Sequence, residues 1–100
     1  MESAKINKLV DFDIPEEYLK SPKLQSMLSS LKFLINNRDT TNKQIELEID
    51  SARTGNKQAK MKVLDWKIRL KVYETSISKS KSQIHDYCIE LAKQEQELNL

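Results

Sequence analysis

The chain has 100 residues, 38% hydrophobic and 32% charged, with 17 basic against 15 acidic side chains for a formal net charge of +2. A unit this small has too much surface for its volume to bury a large core, so association with further helices is expected. One glycine and two prolines exclude a turn-rich sheet protein and suit long helices, and the near-neutral charge gives no general attraction to polyanions.

The N-terminus, Met1-Glu2-Ser3-Ala4-Lys5, lacks the apolar core of a signal peptide, and no apolar run reaches the length of a membrane span. Cys88 is the single cysteine and cannot form an internal disulfide. The expected address is therefore intracellular, cytoplasm or nucleus, although signal-independent export would leave no mark in these residues. Residues 1–20 alternate large apolar side chains, Leu9, Val10, Phe12, Ile14 and Tyr18, with Asp11, Asp13, Glu16 and Glu17. Pro15 forbids a regular helix here and biases Ile14 to an extended conformation. The segment reads as an irregular strap folded back on the helices, with a docking motif for a partner as the alternative. Residues 11–19, Asp-Phe-Asp-Ile-Pro-Glu-Glu-Tyr-Leu, resemble the acidic tail of hirudin-like thrombin inhibitors. Lys20 and Lys23 stand where acids would serve such a tail, and the cysteine framework is missing. Inhibition through residues 9–19 is therefore an alternative, not the main reading.

Ser21-Pro22 reads as an N-cap followed by proline at the first helical position, where its missing N–H costs nothing. From Leu24 onward apolar residues recur at spacings of four and three. With Leu28 as a, the seam includes Leu28, Leu31, Ile35, Ile45, Ile49, Val63, Trp66, Leu70, Tyr73, Ile77, Ile84 and Leu91. Of the 22 a and d sites between Leu24 and Leu98, 17 are apolar or aromatic, against about 8 expected at 38% hydrophobicity. The seam weakens at 36–42, where it carries Arg38 and Asn42, and Thr41 with Gln44 could cap a fresh helix there.

Gly55-Asn56 is a turn dipeptide inside the heptad. A reversal there pairs Ile49 with Ala59, Ile45 with Val63, Ile35 with Tyr73 and Leu24 with Ile84, and sets Glu46, Glu48 and Asp50 against Lys57, Lys60 and Lys62. The alternative is one long helix in a parallel dimer, whose register Asn42 and Asn56 at a would fix. Trp66, Tyr73 and Tyr87 are bulky for that seam, and its flanking charges attract and repel in equal number. The favoured fold is all-α: an N-terminal segment over 1–20, a first helix over 21–53, a turn at 54–56 and a second helix over 57–100, paired as an antiparallel coiled-coil hairpin.

The second helix carries a further apolar stripe, Met61, Leu64, Ile68 and Val72, off the seam and flanked by Lys60 and Lys67. A helix apolar on two faces is covered on two sides, so these six residues are the candidate partner-binding surface. Chemistry is sparse. His85 and Cys88 share a helix face but lack the two further ligands that zinc needs, and no phosphate loop, nucleophile motif or paired carboxylate appears. Neither an enzyme nor a cofactor is expected. Residues 53–71 hold seven basic side chains against Asp65, which suits phosphate contacts, yet Trp66 falls on the seam and the lysines flank it. Nucleic acid is the disfavoured alternative, and insertion into a membrane is not expected. Length, hairpin and central glycine resemble in outline the small WXG-type secreted proteins; Arg53 stands in place of their tryptophan and Leu91 in place of their following acid. An exported helical partner therefore stays as an alternative. The main expectation is a non-catalytic adaptor or subunit of a helical assembly, as homo- or hetero-oligomer, acting by helix docking.

Overall fold

A computed structural model of the chain describes residues 2–98, with side chains from Lys5 to Glu97. Its elements are α1 (Glu2–Val10), a 3-10 turn at Glu16–Lys20, α2 (Pro22–Arg53) and α3 (Lys57–Leu98). It is all-α among the described residues, and the two long helices pack against each other as a hairpin. The contacts divide into two compact units, residues 33–77 and residues 1–32 with 78–100, and α2 and α3 contribute to both. Leu98, the last seam site, has a side chain outside the described residues.

In the 33–77 unit the chain reverses through two interlocking caps. The N–H groups of Gly55 and Asn56 donate to the carbonyls of Ala52 (3.3 Å) and Ser51 (3.3 Å), the paired bonds of a Schellman ending. That ending needs a left-handed residue, and Gly55 supplies it with φ 95°. Asn56 then caps the next helix: its Oδ1 accepts from the Ala59 N–H at 3.1 Å, and its carbonyl accepts from the Lys60 N–H at 3.0 Å. The two helix ends thus satisfy their orphan backbone groups within a few residues. Ala52, Ala59 and Val63 are buried beside the turn, with Ile45 and Ile49 packed against them.

These facts replace the parallel-dimer alternative. The first long helix stops at Arg53, Asn56 is a cap, and Asn42 is exposed, so neither asparagine sets a register. The opposed charges form no direct bridge: among the described residues Glu46, Glu48 and Asp50 make no ion pair with Lys57, Lys60 or Lys62. The weak stretch 36–42 stays helical. Thr41 is buried and its hydroxyl donates to the Asn37 carbonyl at 2.8 Å, so it follows the helix that precedes it instead of capping a new one. Ile35, Leu70, Tyr73 and Trp66 are half-buried along this stretch.

The other unit is built on Leu24, Leu31 and Ile84, all 0% exposed, with Leu28 also buried and Leu91 half-buried. Each such side chain contributes roughly 1.5–3 kcal/mol by leaving water. Ser21 caps α2, its Oγ accepting from the Leu24 N–H at 3.3 Å and lying 3.0 Å from the Tyr87 hydroxyl. The Lys23 ammonium sits 4.7 Å from the Tyr87 ring centroid. Residues before Ser21 are more regular than an irregular strap. Ile6, Leu9 and Val10 fall at helical spacing and form one face of α1, which ends at Asp11 with φ 66° and a bond from its N–H to the Asn7 carbonyl at 2.9 Å. Asn7 Oδ1 accepts the Ile14 N–H at 2.9 Å, pinning the chain before Pro15.

This segment packs in cis. Val10 and Ile14 are buried, Leu9, Phe12 and Tyr18 half-buried. Asp11 pairs with Lys81 at 2.7 Å, Phe12 meets His85 edge-on at 5.0 Å, and the Tyr18 hydroxyl donates to Glu95 Oε2 at 3.0 Å. Ile77, at the edge of the other unit, is likewise buried.

The reversal yields a direct test. A Cβ on Gly55 would meet nothing within 4 Å, so Gly55→Ala changes only backbone energy and should destabilise the chain by about 1–2 kcal/mol in urea unfolding. Asn56→Ala should cost about 1 kcal/mol through its cap. Gly55→Ala with wild-type stability would show that the turn does not take this conformation.

Candidate interaction surface

The first half of α3 lies in the 33–77 unit and carries two apolar faces with opposite fates. Ala59 and Val63 are buried and Trp66 and Leu70 half-buried, all at a and d sites. Met61, Leu64, Ile68 and Val72 sit at b, c and f sites and are 73%, 62%, 59% and 58% exposed. Spacings of three and four residues stack them along one side of the helix. Four large apolar side chains exposed in line are the kind of surface feature that marks an interaction site.

Two open grooves run beside this stripe. One, of about 380 Å³, has Ile49, Val63 and Leu64 in its walls together with the cations Arg53, Lys60 and Lys67. The other, of about 320 Å³, includes Ile68, Lys71 and Val72. The structure therefore brings Lys60, Lys67 and Leu64 to one groove and Ile68 and Val72 to the next, with Met61 exposed. Ile49 and Arg53 are contributions from α2 that the sequence reading placed only on the seam and in the basic run. The reversal at Gly55-Asn56, which sets Ile49 opposite Ala59, was the signal that could have brought Ile49 to this face.

Electrostatics on this surface are one-sided. Of the seven cations between Arg53 and Lys71, Arg69 alone has an ion-pair partner among the described residues, Asp65 at 3.1 Å one helical turn away. That pair is exposed on both sides and contributes little to stability. Arg53, Lys57, Lys60, Lys62, Lys67 and Lys71 are all exposed.

The other candidates gather no comparable surface. Cys88 is buried and its thiol pKa is raised by that burial, which disfavours the reactive thiolate. His85 is exposed with its ring against Phe12. Among the described residues no group of three or more His, Cys, Asp or Glu side chains gathers as a metal site. Tyr18 has its pKa raised by partial desolvation first, and then by donating to Glu95. Phe33 and Leu47 are exposed on α2, but they stand 14 positions apart and form no stripe. Among the described residues no helix is long and apolar enough to cross a membrane. Compared with known proteins, the chain matches no family model, no curated protein sequence and no solved structure.

Neighbouring residues on the two faces should respond differently to mutation. Leu64→Gln should leave the stability of the isolated chain within about 0.5 kcal/mol of wild type, whereas Val63→Ala should cost roughly 1–3 kcal/mol by opening the seam. Equal losses in urea unfolding would mean that the outer stripe is already covered within the chain.

Proposed function

We propose that the protein is a non-catalytic adaptor that docks a partner helix on the outer face of α3. The hairpin is the scaffold, and Met61, Leu64, Ile68 and Val72 are the contact. One observation carries this reading: four large apolar side chains, each more than half exposed, stand in line at helical spacing on a helix whose other face is already packed. Leaving such a stripe in water forgoes hydrophobic stabilisation that a second helix would recover. The flat, open grooves beside it suit the side chains of a helix, which interdigitate as ridges into grooves.

The stripe is short, so affinity resting on it alone is modest. The N-terminal segment, the second docking candidate, already has Val10 and Ile14 buried in cis. Its role in this reading is to cover the far part of the seam.

Ile68→Asp places a charge in the middle of the stripe at an exposed position. In cells expressing a tagged chain, it should remove the associated protein from the purified complex while leaving the helical circular dichroism of the chain unchanged. A complex of unaltered composition and yield would rule out this face.

A further inference from the structure

Resting on that docking reading, we infer that the occupant of the outer face is an amphipathic helix of a different protein, with carboxylates flanking its apolar stripe. A second copy of this chain docking through the same face is the occupant that the charges argue against. Laid face to face, two copies of this surface would oppose Lys60, Lys67 and Lys71 to one another. The single acid in the stretch, Asp65, is one carboxylate against these lysines and lies beside Arg69 in an exposed pair. Flanking charges of one sign select partners in coiled helices by attraction to the opposite sign and by repulsion of their own.

The groove beside the turn gives the same answer in more detail. Its apolar part comes from Ile49, Val63 and Leu64, while Arg53, Lys60 and Lys67 supply its charge, with no carboxylate in its lining. A large apolar side chain entering there brings the neighbouring positions of its own helix up to three cations. Asp or Glu at those positions satisfies them. Extent argues likewise, since four side chains are far fewer than the roughly 20–30 residues a side of a stable interface. The remaining contact comes from around the stripe, where the cationic rim favours an acidic partner.

The test uses the full chain and two synthetic helical peptides that share one leucine stripe, flanked by Glu in one and by Lys in the other. The Glu peptide should bind at least tenfold more tightly at low salt, with the difference shrinking as salt rises. Lys60→Glu/Lys67→Glu, checked for helicity, should invert the preference. Wild-type chain should sediment as a monomer, and neither phosphatidylcholine–phosphatidylserine vesicles nor a DNA duplex should compete with the Glu peptide.

Equal binding of both peptides, abolished in each case by Ile68→Asp, would overturn the acidic partner while leaving the docking face intact. Glu-peptide binding that ignores Ile68→Asp would overturn both. Self-association through Ile68, displacement of the peptide by vesicles or duplex, or binding of neither peptide would each overturn the inference by pointing to a different occupant.

Discussion

The reversal at Gly55-Asn56 is the constraint on which the other features depend. Without it the a and d residues of α3 would have to find a second chain, and the molecule would be a rope. With it, the seam is filled from within, and what remains on α3 is an outer face with no helix against it. The energy involved is small. A left-handed glycine, two backbone bonds and one asparagine cap are worth a few kcal/mol together, yet they decide which surfaces are core and which face solvent. Burial of Ala52, Ala59 and Val63 beside the turn holds it closed. Small residues at Ala52 and Ala59 let the helices approach closely where the chain turns.

Packing along the hairpin is uneven, and the unevenness has a chemical cause. Seam positions 38 and 42 carry polar side chains, and the stretch around them holds half-buried aromatic and aliphatic residues with Thr41 as its buried group. The unit made of residues 1–32 and 78–100 is better filled because its N-terminal segment adds Val10 and Ile14. A small core gains much from such additions. Its polar atoms are also partnered: Asp11 with Lys81, Tyr18 with Glu95, Ser21 with Tyr87.

Periodicity made most of this legible in advance. The heptad located both helices, Ser21-Pro22 the start of α2, and Gly55-Asn56 the turn, since each signal rests on local backbone chemistry. The reasons were less legible than the outcome. Acidic residues before Gly55 and lysines after it argued for a hairpin, but they make no ion pairs among the described residues, whereas the caps at the turn are formed. Only the parallel-dimer alternative used Asn56 as a register-setting seam residue, because heptad position alone cannot tell a cap from a core site. Pro15 drew attention away from α1, whose apolar spacing at Ile6, Leu9 and Val10 ends before the proline takes effect. The stripe from Met61 to Val72 was readable because it violates the single-face rule for a paired helix. The groove formed with Ile49 and Arg53 was less direct, because it exists only once α2 lies alongside, as the pairing of Ile49 with Ala59 implies.

The fold-back is tested most directly by an intramolecular distance across the 33–77 unit. Asn36 and Glu74 are both exposed and can carry spin labels as Asn36→Cys and Glu74→Cys in a Cys88→Ser background, diluted with unlabelled chain. A hairpin with helix axes about 8–10 Å apart places the labels roughly 20–25 Å apart. A continuous helix would separate them by about 57 Å at 1.5 Å per residue, and a distance distribution centred there would contradict the account.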